Sequence, residues 1–122
     1  MDKVKSFTDL IVWKKAHFFV LEVYKATKQF PSEEKYGLSD QLRRATVSIT
    51  SNIVEGFSRR TLQDKVHFYR NSLGSLLEVQ NQLLIARDLK YLDNFKQLAE
   101  SSIEIKKLIS GLIKSAQTKE NT

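Results

Sequence analysis

Three side chains of this sequence are candidates for acid–base or metal chemistry, namely His17, Glu55 and His67. Histidine titrates near neutral pH, and imidazole and carboxylate groups are common metal ligands. The helices described below place the three residues at a similar height if neighbouring helices are antiparallel. However, the chain has no cysteine and lacks the Glu-x-x-His pairs that di-iron helical bundles use. We therefore predict no catalytic residue, no metal site and no cofactor.

Basic side chains are the second group that could bind a ligand. The net charge of +6 favours an anionic partner, either a nucleic acid or an acidic protein surface. Two arginine pairs flank one amphipathic segment, Arg43-Arg44 near its start and Arg59-Arg60 beyond its end. Whether these charges act together depends on the helices that carry them.

Four helical segments are predicted to position these residues. Thr8 and Asp9 favour a helix start, Pro31 ends the first helix, and Thr61 with Asp64 approximates a capping box that opens the third. We predict an all-α, antiparallel, up-down-up-down four-helix bundle, because short connections cannot return the chain to the far end. Residues 1–122 form one domain, with helices at about 9–29, 39–57, 62–89 and 93–116 and a disordered tail at 117–122.

This topology separates charge along the bundle axis. The start of the first helix, the turn between the second and third helices, and the C-terminus share one end, where basic residues outnumber acidic ones. The opposite end is nearly neutral. We predict that phosphates are contacted at the basic end by Lys14, Lys15, Arg59, Arg60, Lys65 and Arg70, with Arg43 and Arg44 as a second basic site. Solvated lysines without a ligand are the alternative interpretation.

A polar cluster is predicted near the end of the second helix. Its members are Trp13, Asn52, Glu55 and Gly56, and Glu55 is expected near the interior, where its carboxylate needs donors such as the Trp13 indole or Asn52. We predict a structural role for this cluster, with direct ligand binding as the alternative. Gly74 and Gly111 are predicted to mark a close approach between the third and fourth helices.

The first and third helices carry more apolar residues than one buried face requires. In the first helix the predicted core row is Val12, Ala16, Phe19, Val23, Ala26 and Phe30. In the third helix it is Val66, Tyr69, Leu73, Leu76 and Leu83, beside a second stripe of Phe68, Ser72, Ser75, Val79 and Ala86. Scattered exposed apolar residues are normal, but stripes favour self-association. We predict an oligomer interface that includes Phe18, Phe68 and Val79.

An ordered set of motifs lies between Phe7 and Gly56. It consists of Phe7-Thr8-Asp9-Leu10, Trp13-Lys14-Lys15-Ala16, Phe30-Pro31, Tyr36-Gly37-Leu38, Gln41-Leu42-Arg43-Arg44-Ala45, Ser48-Ile49, Asn52-Ile53 and Glu55-Gly56. This set resembles the bacterial four-helix-bundle proteins encoded within intervening sequences of large-subunit ribosomal RNA genes. The resemblance covers Phe7 to about Ser115. That family is similar to the accessory proteins of diversity-generating retroelements.

The resemblance implies a homopentamer with basic surfaces and no known enzymatic activity. For the retroelement relatives it also implies binding of nucleic acid and of a reverse transcriptase. Two positions depart from the family pattern. Val54 replaces an alanine, and Leu73 replaces an arginine, so no nucleic-acid contact of that arginine carries over to this chain.

We therefore predict a non-enzymatic homo-oligomer that binds RNA or another nucleic acid, with RNA favoured. The alternative is an interaction scaffold for an acidic protein partner. The resemblance adds a reverse transcriptase as a candidate protein partner. The segment MDKVKSF lacks the apolar core of a signal peptide, and no apolar run approaches the roughly 20 residues that span a bilayer. We expect a cytoplasmic protein without a membrane segment.

Overall fold

The computed structural model describes residues 4–120, and within that range the chain forms four α-helices and no β-strand. The helices are α1 (Ile11–Thr27), α2 (Leu38–Ser58), α3 (Leu62–Asp88) and α4 (Phe95–Glu120). Single 3-10 turns at Phe7–Asp9 and Ser32–Glu34 precede α1 and α2. The predicted all-α class is confirmed for the described part of the chain. None of its helices is both long and apolar enough to cross a membrane.

The four helices pack in chain order, with α4 closing against α1. One side-chain contact illustrates each neighbouring pair: Arg43 with Thr27, Ser72 with Ile49, Gln80 with Ser102, and Lys15 with Glu104. Because the connections are short, each helix returns along its predecessor and neighbours are antiparallel. Across residues 4–120, α1 and α3 lie on a diagonal and do not pack on each other.

Local hydrogen bonds define where the helices begin. The Ser6 hydroxyl accepts the Thr8 N–H at 3.3 Å, and the Asp9 carboxylate accepts the Ser6 N–H at 3.0 Å. Ser6 therefore caps the first turn, whereas the sequence indicated Thr8. The Thr61 hydroxyl accepts the Asp64 N–H at 3.1 Å and opens α3, as the sequence predicted.

The C-terminal ends of α3 and α4 differ from each other. α3 is followed by Lys90 with a φ of 65°, and the next residue, Tyr91, donates its N–H to the Ala86 carbonyl at 2.9 Å. This is the bond pattern of a Schellman motif. α4 instead continues to Glu120, so residues 117–120, predicted to be a disordered tail, are helical. Positions 121 and 122 of that predicted tail lie outside the described residues.

The core confirms the predicted row of α1 and corrects that of α3. All six residues of the α1 row are buried. In α3 the buried residues are Val66, Tyr69, Ser72, Leu76, Val79, Gln82, Leu83 and Ala86, so most of the predicted outer stripe faces inward. The reason is that α3 packs on both α2 and α4 and therefore buries a wider arc than one helical row. Val79 has an exposed fraction of 0%, so its assignment to an oligomer interface was wrong.

The glycines of the helices have different roles from those predicted. A Cβ added at Gly74 or Gly111 meets no atom within 4 Å, so neither marks a close helix approach. Gly56 does, because a Cβ there would lie 2.5 Å from Cε1 of the buried Tyr69 ring. The close approach is therefore between α2 and α3.

Alanine at Gly74 or Gly111 is expected to stabilise the protein by about 0.5–1 kcal/mol each, because alanine restricts the unfolded chain and finds open space. Alanine at Gly56 is expected to destabilise it by about 1–3 kcal/mol through overlap with Tyr69. Urea denaturation followed by circular dichroism measures all three changes. Equal stability of the Gly56 and Gly74 variants would contradict this account.

Candidate nucleic-acid interface

The basic end contains exposed arginines whose charge is not neutralised. Arg60 and Arg70 are exposed, and neither forms an ion pair with any other residue between positions 4 and 120. Arg60 follows α2, and Arg70 lies on the first half of α3. Lys114, on the last half of α4, is likewise exposed and unpaired within that range. These three cations are available to an anionic ligand.

Lys65, one of the predicted phosphate contacts, has a structural role. Its ammonium donates to the carbonyls of Phe57 at 2.8 Å and Gly56 at 3.3 Å, which are among the last carbonyls of α2. A cation at this position satisfies free acceptors and complements the helix dipole. Burial, and then the charge of Lys119, lowers the pKa of Lys65. The proximity of Lys119 shows that the C-terminal end of α4 reaches the basic end.

Two further predicted contacts are engaged by carboxylates. The Arg59 guanidinium bonds Glu55 at 3.0 Å and lies 4.5 Å from the Phe68 ring centroid. Lys15 pairs with Glu104 across the groove between α1 and α4. Lys14 is exposed beside this groove. Lys14 and Lys15 thus border α4, whereas Arg59 and Phe68 belong to the α2–α3 side.

Both arginines of the second basic site contact other groups of the protein, but only Arg44 pairs with a carboxylate. Nε of Arg43 donates to the Thr27 hydroxyl at 2.7 Å, and its guanidinium lies 4.7 Å from the Tyr24 ring centroid. Arg43 therefore ties the start of α2 to the end of α1. Arg44 pairs with Asp40 at 3.0 Å within one turn of α2.

The predicted interior polar cluster does not form. Glu55 is exposed and bonds Arg59, so its placement in the interior was wrong. The Asn52 amide donates to the Ser48 carbonyl at 2.9 Å, within its own helix. Gly56 is buried against an aromatic ring and takes no part in a polar network. The side chain of residue 55 points to solvent because residue 56 occupies the inner face of α2.

The Trp13 ring packs against two other rings, one on its own helix and one on the turn before that helix. Its ring packs edge-on against Phe7 at 5.3 Å and stacks on His17 at 4.7 Å between centroids. This position at the edge of the core explains why Trp13 is only partly buried. His17, Glu55 and His67 do not converge, since residues 4–120 contain no group of three or more side chains that could hold a metal ion.

A polar cleft of about 370 Å³ lies between the start of α3 and the end of α4. Of its lining residues, only Arg70 was among the predicted phosphate contacts. Its lining residues are Gln63, Val66, His67, Arg70, Asn71 and Gln117. Amide, imidazole and guanidinium groups are the side chains that hydrogen-bond nucleotide bases. The spacing of Gln63, His67 and Arg70 on one helical face was the signal that could have revealed this cleft.

Apolar residues remain exposed on two faces of the bundle. On α1 they are Ile11, Phe18 and Leu21, with exposed fractions of 63%, 60% and 54%. On the α3–α4 side a shallow cleft of about 210 Å³ is lined by Gln80, Leu83, Leu84, Phe95, Ala99, Ser102 and Ile103. Phe68, the remaining predicted interface residue, is half-buried beneath Arg59.

The fold and this surface define a class, that of all-α antiparallel helical proteins with a basic end. The chain belongs to the family of 23S rRNA-intervening sequence proteins, whose model matches residues 8–111, and the predicted resemblance is thereby confirmed. Its structure is similar to that of a protein of unknown function from the S23 ribosomal protein family of Bacteroides thetaiotaomicron VPI-5482. The two are 24% identical with a TM-score of 0.78, over 85% of this chain and 96% of the other, which shows a shared fold. No curated protein matches the chain.

Proposed function

We propose that this protein is a non-enzymatic, oligomeric RNA-binding protein that contacts phosphates through its basic end. The observation that carries the proposal is that exposed cations of the basic end, among them Arg60, Arg70 and Lys114, form no ion pair with the described residues. Cations that are not neutralised by the protein can replace the counterions of a polyanion and so favour its binding.

The neighbouring cleft supports RNA as the polyanion. Arg70 borders it beside His67, Asn71 and Gln117, so phosphate-binding and base-bonding groups are adjacent. RNA recognition commonly combines backbone contacts with hydrogen bonds to unstacked bases. The family name also links these proteins to the intervening sequences of 23S ribosomal RNA.

Purification without nuclease at low salt tests the proposal. We expect RNA to co-purify with the protein, to be released by high salt, and to be destroyed by ribonuclease but not by deoxyribonuclease. The released RNA should rebind the stripped protein. Material free of nucleic acid that also fails to bind a structured RNA in a titration would overturn the proposal.

Oligomerisation is part of the proposal, with an interface revised from the predicted one. The exposed apolar residues of α1 and those beside α3 and α4 lie on different faces of the bundle. Contact between two different faces joins copies head to tail, and such contacts close into a ring when the rotation permits. A pentameric ring is our proposed assembly, with Phe18 in the contact. A ring would also repeat the basic end and strengthen its attraction for a polyanion.

A protein-interaction scaffold is the second candidate function. The observation that favours it is the apolar cleft around Leu84, Phe95 and Ile103, because a partner helix could bury these side chains. The same purification discriminates between the candidates. A protein that co-purifies in stoichiometric amounts and survives ribonuclease treatment would favour the scaffold.

A further inference from the structure

The loop between α1 and α2 presents an aromatic side chain on an anchored backbone. Tyr36 has an exposed fraction of 86%. The loop around it is fixed, since the Glu34 carboxylate accepts the Leu38 N–H at 3.2 Å and the Tyr91 hydroxyl at 3.0 Å. The Gly37 N–H also bonds the Glu34 carbonyl at 3.0 Å. An ordered turn therefore holds the Tyr36 ring in solvent.

An exposed ring of this kind is a stacking surface. Aromatic side chains usually bury their large apolar faces, and single-stranded nucleic acids place unstacked bases on such faces when proteins expose them. The ammonium of Lys35 lies 5.5 Å from the Tyr36 ring centroid. This ammonium lies over one face of the ring, so a phosphate next to a base stacked on the ring would meet a positive charge.

The cleft next to Tyr36 is positively charged. It has a volume of about 510 Å³, and its ionisable lining residues besides Tyr36 are Lys28, Lys35, Asp40 and Arg43. The one carboxylate among them, that of Asp40, is engaged by Arg44 at 3.0 Å. Positive charge therefore exceeds negative charge along the cleft.

Arg43 supplies a fixed cation in this cleft. Its guanidinium is held by the Thr27 hydroxyl and the Tyr24 ring, both of which are neutral partners. Within residues 4–120 no carboxylate forms an ion pair with it. A guanidinium that is already positioned loses little side-chain freedom when it contacts a phosphate.

We propose that Tyr36 is the stacking platform of a second RNA site, which binds a short single-stranded segment with Lys28, Lys35 and Arg43 contacting its phosphates. The inference rests on the proposed RNA-binding function. It adds that the end of the bundle opposite Arg60 binds single-stranded RNA. α2 has 21 residues and separates the two ends by about 30 Å.

A fluorescently labelled tetrauridylate tests the inference by anisotropy titration, because four nucleotides cannot engage both ends of the bundle at once. Tyr36→Ala is expected to weaken its binding about 10-fold through loss of one base stack. Tyr36→Phe keeps the ring and should bind within about 2-fold of the wild type. Binding of an RNA duplex, which offers no unstacked base, should be the same for all three proteins. Circular dichroism should show unchanged helix content, because the ring is exposed.

The matched control is the triple variant Arg60→Gln, Arg70→Gln, Lys114→Gln at the opposite end. It should lose affinity for long structured RNA, and adding Tyr36→Ala to it should still weaken tetrauridylate binding about 10-fold. Wild-type protein that ignores tetrauridylate, or Tyr36→Ala protein that binds it with undiminished affinity, would overturn this inference and leave the basic end untouched. Undiminished binding of long RNA by the triple variant would instead overturn the proposed role of the basic end. In that case, weaker binding of tetrauridylate by Tyr36→Ala would still support Tyr36 as a stacking platform.

Discussion

Glutamate in place of Val79 is expected to unfold the protein, whereas glutamate in place of Phe18 is expected to leave it folded. Val79 has no exposed surface, so the new carboxylate would be buried without a partner in the core that α3 shares with its neighbours. An unpaired buried charge costs several kcal/mol, which approaches the whole stability of a small domain. We expect a loss of about 4 kcal/mol or more for Val79→Glu.

Phe18 provides the comparison because it is 60% exposed in the single chain. A glutamate there remains hydrated, and the expected change in the chain's own stability is within about 0.5 kcal/mol. If Phe18 lies in a subunit contact, Phe18→Glu should dissociate the oligomer, because the contact would bury that charge. Urea denaturation measures the stability, and light scattering measures the assembly. A folded Val79→Glu protein would refute the core assignment of α3, and an intact Phe18→Glu oligomer would refute the α1 interface.

The second large effect is expected in the salt dependence of RNA binding. Each phosphate contact with single-stranded RNA contributes roughly 0.7 to the slope of log affinity against log salt concentration. Replacing Arg60, Arg70 and Lys114 together by glutamine should therefore flatten that slope by about 2 units. Titrations at four or more salt concentrations measure it. The loss should be similar for unrelated sequences, since phosphate contacts do not read bases.

A charge-matched control separates this local effect from the loss of net charge. Lys25, Lys90 and Lys96 lie near the α3–α4 connection, are exposed, and form no ion pair in the described range. Replacing these three by glutamine lowers the net charge equally but should change the slope by less than 1 unit. Equal flattening by both triple variants would show that the basic end has no special role.

Replacing the pair Lys15 and Arg59 should also have a small effect on the slope. Their charges already face Glu104 and Glu55, so an RNA phosphate would have to compete for them. The sequence placed these two residues with Arg60 in one binding group, because it shows charge and helical position. The sequence does show Glu55 four residues before Arg59, but it does not show that Glu104 of α4 arrives beside Lys15.

Several features of this protein follow from the sequence alone. The proline at position 31, the capping hydroxyl of Thr61 and the apolar row of α1 predicted where helices run and which side of α1 is buried. These signals are reliable here because capping, proline geometry and helical periodicity act within one or two turns. The family resemblance is also carried by the linear order of motifs, which the match over residues 8–111 confirms.

The tertiary structure decided the features that depend on more than one helix. α3 has two packing neighbours, so its buried arc includes Val79, which a single-row interpretation places outside. Lys65 caps α2 because the chain reverses just before it, and Gly56 is required by a ring on the facing helix. Glu34 anchors the loop that carries the exposed Tyr36, through bonds from the Leu38 N–H and from the Tyr91 hydroxyl on a distant segment. Each of these outcomes depends on contacts between different helices or across a turn, which helical spacing and composition do not encode.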